Sequence, residues 1–394
     1  MYFLLRGGLG MPRILVLHHR QATKSNAPVK SNLFKSSLDP RQASTYPYIE
    51  HVQKEIEAMK IIIPGGSGHL GTLLTRAFRA KGHDVLVLTR DRNQAGVLWD
   101  GRTLGPWATL FDGADAVINL AGRSVDCRYN ARNREEILRS RVESTRVVGE
   151  AIAAAANPPR VWLQASTATI YAHRFDRDND EYTGVIGGNE PHAPEAWRFS
   201  IAVAKAWEEA FDAAVTPATR KVKMRMGIVM STAKDSAFGI LRRHARMGFG
   251  RMGDGRQYVS WIHERDFVRA VEWLIAHENV EGTVNVTAPH PLSNAEVIEA
   301  IRHAEGAPFS IPVPAWMIGI GTWLLRTESE LVLKSRRVAP RRLRELGFPF
   351  EFPRWAAAAR DLCERRADAT APVVLPQTHT RRRAQTPRSS VSLW

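Results

Sequence analysis

Met59-Lys-Ile-Ile-Ile-Pro-Gly-Gly-Ser-Gly-His-Leu-Gly71 is the stretch whose reading decides the fold. An apolar run of strand length leads into Gly65, Gly68 and Gly71 at three-residue spacing. An amphipathic run follows, with Leu70, Leu73, Leu74, Ala77 and Phe78 at helical spacing. In a strand–turn–helix unit the first glycine permits the tight turn, and the second lets backbone approach a pyrophosphate. The third lets the helix pack closely. Free N–H groups and the dipole at the helix start favour the negative charge. Gly65, Ser67, Gly68, His69, Leu70 and Gly71 are therefore expected to hold a dinucleotide.

The pattern continues outward. Strands are expected at 60–63, 84–88, 97–99, 116–120, 160–164, 221–229 and 283–286, with helices at 70–81, 134–156, 199–213, 238–247 and 264–277. Alternation with helix-length crossovers predicts an α/β fold, a doubly wound parallel sheet of the Rossmann type. From about Pro289 helical segments dominate (294–304, 315–325, 328–334, 354–365), predicting a small, mostly helical C-terminal portion. Residues 59–288 thus read as the nucleotide domain and 289–366 as the helical domain. Residues 1–58 and 367–394 lack lasting periodicity. They read as a disordered leader, or a start placed too early, and a disordered basic tail.

The second strand ends Thr89-Arg90 about twenty residues after the glycines, the position that reads the adenosine ribose. An acid there favours NAD, and an arginine accommodates the 2′-phosphate of NADP. Thr89 and Arg90 therefore favour NADP, with NAD as the lesser alternative. Asn119-Leu-Ala-Gly122 closes another strand, and small Ala121 and Gly122 would let backbone pass beside the cofactor. Ala165-Ser-Thr-Ala-Thr-Ile-Tyr171 places hydroxyls at a strand's carboxyl end, where ligands bind in open α/β sheets.

Composition narrows the partners. The 394 residues carry a formal charge of +15, with 44% apolar residues and 24% charged. Residues 1–58 hold eight Lys/Arg against four Asp/Glu, and 367–394 hold four against one. The ends thus carry +7 and the remainder +8. No zinc-finger or RNA-recognition signature accompanies that charge, so a small, anionic substrate is favoured over nucleic acid. Two cysteines, Cys127 and Cys363, exclude a disulfide scaffold and show no metal-ligand spacing, and no metal site is expected. No run reaches the roughly 18–20 apolar residues of a membrane span. The nearest, 311–325, is expected as packed core. With no secretory signal, a cytoplasmic enzyme is expected. In the glycine-rich loop 248–256, Arg251 and Arg256 are candidate substrate-binding groups. His263 is expected to lock a loop, and the basic run 334–342 reads as a solvated face, with the rim of an anionic-substrate site as the alternative.

These strings together resemble the short-chain dehydrogenase/reductase superfamily, in its NAD-dependent epimerase/dehydratase-like branch with a small C-terminal domain of unassigned function. The resemblance rests on Gly65–Gly71, Val117–Gly122, Ser166–Tyr171, Arg225–Val229, Ser260–Asp266 and Asn285–Pro289, and covers about 59–366. It implies a Ser/Thr, a Tyr and a Lys, the last two spaced Tyr-x-x-x-Lys on one helix face, for proton transfer and ribose contact. Carried over, Thr167 matches the hydroxyl residue and Lys205 the lysine, as catalytic and cofactor-binding group. Four residues before Lys205 stands Ile201, which cannot exchange a proton. Tyr171 and the acidic loop 176–181 are the candidate replacements. The expected function is an NADP-favouring, epimerase/dehydratase-like oxidoreductase acting on a small or nucleotide-linked substrate through an atypical site. The alternative is a non-catalytic NADP-binding sensor or scaffold.

Overall fold

The computed structural model describes residues 58–365 except 192, 234 and 325–329, so the expected leader (Ala58 apart) and tail lie outside the described residues. β1 (Lys60–Pro64) buries Ile61, Ile62 and Ile63 completely. It leads through the glycine turn into α1 (His69–Ala80), which returns the chain to β2 (Asp84–Thr89), β3 (Val97–Leu98) and β4 (Ala116–Asn119). A long helix α2 (Ala131–Ala154) precedes β5 (Val161–Thr167), and α3 (Glu195–Asp212) precedes β6 (Arg220–Met226). The expected single strand 221–229 breaks at Gly227, where a Cβ would lie 2.8 Å from the Ser260 carbonyl oxygen. β7 (Ile228–Met230) therefore leaves the main sheet.

Next come α4 (Ala237–Arg246), β8 (Phe249–Met252), β9 (Tyr258–Val259), β10 (Trp261–His263), α5 (Glu264–Ala276) and β11 (Gly282–Val286). The main sheet has seven parallel strands in the order β11-β6-β5-β4-β1-β2-β3. The strand order reverses between β1 and β4, and that switch point opens the crevice where doubly wound folds take ligands. Alternate side chains fill two cores, as a sheet covered on both faces requires. Ile61 and Ile63 pack with Leu74, Phe78 and Phe267 on the α1/α5 side. Ile62 packs with Val147, Val148 and Trp162 on the α2 side.

β12 (Leu292–Ser293), α6 (Asn294–Ala304), β13 (Ile311–Val313), α7 (Ala315–Leu324), α8 (Glu330–Leu333), α9 (Arg341–Glu345) and α10 (Trp355–Glu364) make the helical portion. A reciprocal capping box between Ser293 and Glu296 starts α6. This portion is not built from residues after 289 alone. Met230, Phe238, Ala245 and Trp261 join Val297, Ile301, Trp355 and Leu362 in its core, and β8 and β9 pair with β13 and β12.

Two expectations change here. The basic run 334–342 is a strap rather than a solvated face: Lys334 is 1% exposed and its ammonium donates to the Thr169 carbonyl at 2.8 Å. Arg337 pairs with Asp178 at 2.7 Å, and Arg342 donates to the Glu281 and Thr283 carbonyls. The 311–325 stretch is only partly core, with Ile318 buried and Ile311, Trp316 and Met317 exposed. Among the described residues no helix is long and apolar enough to cross a membrane. His263 does lock a loop: its Nδ1 accepts from the Arg265 amide at the start of α5, and Nε2 meets Asp361 at 3.0 Å.

Candidate functional site

A cleft of about 240 Å³ opens at the switch point, between the glycine turn, the ends of β2 and β4, and α2. Gly65, Ser67, Gly68, Thr89, Arg90, Ala121 and Gly122 all line it. Gly65 has φ +78, and a Cβ on it would lie 2.7 Å from the Ala121 backbone, so both the turn and the close approach demand glycine. A Cβ on Gly71 would stand 2.4 Å from Gly66 Cα. At Gly68 a Cβ would meet only the Gly65 carbonyl oxygen, at 3.4 Å, so the space there is left for something else.

That space fits an anion. Gly68 caps α1 with no side chain, and no acidic residue stands in the first turn. The first amides of α1, those of His69, Leu70 and Gly71, have no acceptor within the helix, which resumes its bonding at Thr72 N to Gly68 O. The side chains of His69 and Leu70 turn elsewhere, His69 to Ser231 at 2.8 Å and Leu70 toward the core, so these two contribute backbone.

The β2 end is held firmly. Thr89 is 1% exposed, shares a 2.9 Å hydrogen bond with Ser67 Oγ, and accepts from the Asp91 amide. Arg90 projects from this fixed turn, exposed and without an ion pair among the described residues. Sequence reasoning missed the far wall, formed by Trp99, Asp100 and Arg102 and by Ser140, Glu143 and Ser144 of α2. The four-residue spacing of Ser140 and Ser144 was the available signal.

A second cavity of about 130 Å³ is lined by Arg141, whose side chain lies 3.3 Å from where a Cβ on Gly122, in the first cleft, would stand. Thr167 lines it, its Oγ1 capping a short turn by accepting from the Thr169 amide at 3.1 Å. α3 presents Phe199, Ser200, Val203, Ala204 and Trp207. α8 adds Glu330 and the strap adds Arg336: Ser200 Oγ donates to Glu330 Oε2, while Arg336 Nη2 lies 3.5 Å from Oε1 and Arg336 Nε donates to Thr169 Oγ1.

Other expected site residues lie elsewhere. Lys205 is one residue round α3 from the cavity face, its ammonium beside the Gly187–Gly188 turn, and it lines neither cavity. Ile201 packs on that same turn and is 1% exposed. Tyr171 is 2% exposed, donates to Asn285 Oδ1 and accepts from Arg225, both at 3.0 Å. Burial raises the Tyr171 pKa, and it joins a network in which Arg225 pairs with Glu208 at 2.7 Å; none of the three lines either cavity. In the acidic loop, Asp176 and Asp178 pair with Arg174 and Arg337, and Glu181 accepts from the Asn285 and Arg341 amides. Arg251 and Arg256 are exposed on the glycine-rich loop, with Arg256 over the Phe175 ring at 5.6 Å; neither lines either of these two cavities. Among the described residues no cluster of metal ligands occurs.

The model of the NAD dependent epimerase/dehydratase family matches residues 61–287, more than half of the chain. The chain belongs to that family. A domain of unknown function (DUF1731) matches residues 313–362. Among curated relatives, an epimerase family protein from Bos taurus, SDR39U1, is 31% identical over 77% of this chain and 99% of its own length. The crystal structure of human epimerase family protein SDR39U1 (isoform2) with NADPH superposes with a TM-score of 0.68 at 28% identity, over 78% of this chain and 99% of that one. The UDP-glucose 4-epimerase complex with NAD from Thermus thermophilus gives 0.60 at 16% identity, over 79% and 100%, a likeness of fold alone.

Proposed function

We propose that the chain binds NADP(H) across the carboxyl ends of the sheet and exchanges hydride with a small substrate in the cavity beside Thr167. One observation carries the reading: α1 starts without a side-chain cap at Gly68, which lines a cleft that also bears Arg90, a cation with no protein partner among the described residues. Amides serve a pyrophosphate and a guanidinium serves a 2′-phosphate. When bound, the nicotinamide supplies hydride chemistry. The chain's own groups do the rest. Thr167, with its Oγ1 already accepting from an amide, keeps its proton to donate to a substrate oxygen. Ser200 stands in the cavity with its hydroxyl on the Glu330 carboxylate, and this pair is placed to take up the substrate's proton. Arg336 holds that carboxylate in place.

The NADPH named for the human SDR39U1 structure supports the cofactor choice. Calorimetric titration with NADPH and NADH tests it first, and loss of NADPH binding would end the reading. Nucleotide deuterated at the transferable position, incubated with fractionated metabolite pools, tests the second half: deuterium should appear in a small product. A non-catalytic sensor or scaffold is the second reading, favoured because Ser200 and Ala204, spaced by four on the cavity face, are neither Tyr nor Lys. Binding without deuterium transfer in any pool would select it.

A further inference from the structure

We infer that the ligand of the Thr167 cavity is a small monocarboxylate with an apolar body, and not a sugar nucleotide; this rests on the NADP-dependent reading above. Arg141 lines this cavity. Its Nη1 donates to the Arg123 and Ile137 carbonyls, both at 3.0 Å, and its guanidinium lies over the Trp207 ring at 5.0 Å. No carboxylate stands within ion-pair distance of it among the described residues. A guanidinium offers five donors, so carbonyl contacts on one nitrogen leave donors over. Burying a cation without an anion is expensive, and burial draws the pKa of Arg141 down to about 10. It remains charged at neutral pH.

The other charged lining groups, Arg336 and Glu330, pair with one another. Among the described lining residues their charges cancel, and Arg141 leaves a net single positive charge, which suits a monoanion. A guanidinium fork matches a planar carboxylate in two parallel hydrogen bonds.

Shape gives the rest. Ile137 lies one turn before Arg141 on α2, and Val203 one turn before Trp207 on α3. Ile137 packs with Val203 while Arg141 stacks on Trp207, so the cation closes one end of a trough between two helices. Tyr129 and Phe199, edge to face at 5.1 Å, belong to the apolar end. The volume, about 130 Å³, is close to that of a cavity of about 150 Å³ that admits benzene. Drug-sized ligands occupy roughly 300–1,000 Å³. A sugar nucleotide, with a sugar, a ribose, a base and a diphosphate, is far larger than this cavity.

The test uses the full chain saturated with NADPH, repeated without nucleotide. Butanoate, hexanoate and their 2-oxo and 2-hydroxy forms are titrated calorimetrically, beside hexanamide, inorganic phosphate and UDP-glucose. At least one carboxylate should bind, and tenfold or more tighter than the amide. UDP-glucose and phosphate should bind more weakly than that acid. Arg141→Gln should weaken the acid roughly 10–100-fold, the value of a hydrogen-bonded charge, with Arg141→Lys intermediate. Val203→Phe fills the trough without touching Arg141 and should abolish acid binding while NADPH affinity stays unchanged, so a misfolded Gln variant would not decide the matter. Equal binding of acid and amide, tighter binding of UDP-glucose or phosphate, or no acid binding by NADPH-loaded protein would each overturn the inference. Failure of NADPH to bind strikes the proposed function instead.

Discussion

Removing the Arg90 side chain isolates the contribution of a single group to cofactor choice. Thr89 and the β2 end are fixed by the bond to Ser67 and by Gly65 N on the Leu88 carbonyl at 2.9 Å, so Arg90→Ala should leave the turn in place. Arg90 has no acidic partner among the described residues, so no carboxylate is orphaned and melting should be unchanged. An exposed unit-charge pair at 4 Å is worth about 1 kcal/mol in water, and a charge-assisted hydrogen bond about 1.5–3 kcal/mol. The alanine variant should therefore bind NADP roughly 10–100-fold more weakly and NAD within about twofold, at 1.4 kcal/mol per decade. Arg90→Asp adds repulsion against the phosphate and should widen the gap further. Because the site is exposed, the discrimination should shrink as salt rises and the Debye length falls from about 10 Å at 0.1 M to about 3 Å at 1 M. Calorimetric titration at two ionic strengths measures all of this. Equal weakening of NADP and NAD would refute the assignment. So would full discrimination lost on Arg102→Ala, since Arg102 is the other cleft cation but is committed to Glu143 at 3.1 Å.

Gly68→Val should keep a native melting profile, because a Cβ there meets only one oxygen at 3.4 Å, yet should block nucleotide binding; unchanged NADPH affinity would show that the turn is only structural. Asp266 is 0% exposed and accepts the Glu351 and Phe352 amides, both at 2.8 Å. Asp266→Ala should cost about 2–4 kcal/mol in a denaturant titration, and a loss under 1 kcal/mol would show those amides rebonding elsewhere. Burial lowers His263 from 6.5 to about 4, so below pH 6.5 the unfolded chain takes up a proton that the folded chain refuses. Stability from neutral His263 is thus complete above pH 6.5 and declines as pH falls toward 4. Urea midpoints should drop between pH 7.5 and 5.0, and less steeply in His263→Asn; identical slopes would place the effect on other groups.

The nucleotide half was legible because its signals are local. Three consecutive isoleucines predict a strand buried on both faces, and the glycine spacing predicts the turn, so β1, α1 and the cleft positions 65, 68, 89, 90, 121 and 122 could be named in advance. The helical half was less legible because partners decide it. β9 and β12 have two residues each, and β8 pairs with β13 some sixty positions on, so no periodicity within either strand announces it. The run 334–342 carries the composition of a solvated face. It is buried because carbonyls of distant segments, Thr169, Glu281 and Thr283, accept its donors.

The phase of α3 is the most instructive case, because one residue shifts a side chain about 100° round a helix. Sequence matching set Lys205 and, four before it, Ile201 as the face toward the chemistry. The cavity instead meets Ser200, Ala204 and their neighbours. Ile201 Cδ1 lies 2.9 Å from where a Cβ on Gly187 would stand, and Cγ2 lies 3.3 Å from that of Gly188. That turn is itself held, with Gly187 N on the Ile170 carbonyl at 2.9 Å and Gly188 N on Glu190 at 2.6 Å. Tyrosine at 201 would strike this turn, so Ile201→Tyr should lose roughly 1–3 kcal/mol by overpacking. It should leave NADPH affinity unchanged and gain no reductase activity toward carbonyl probes. Ser200→Tyr should behave in the opposite way, placing a phenol inside the cavity, breaking the bond to Glu330 and altering ligand binding there. Thermal melts, NADPH titration and carboxylate titration of both variants read the difference. An Ile201→Tyr variant that melts normally and reduces carbonyls would show that the catalytic face is the one the sequence match chose, and would return Lys205 to the cofactor.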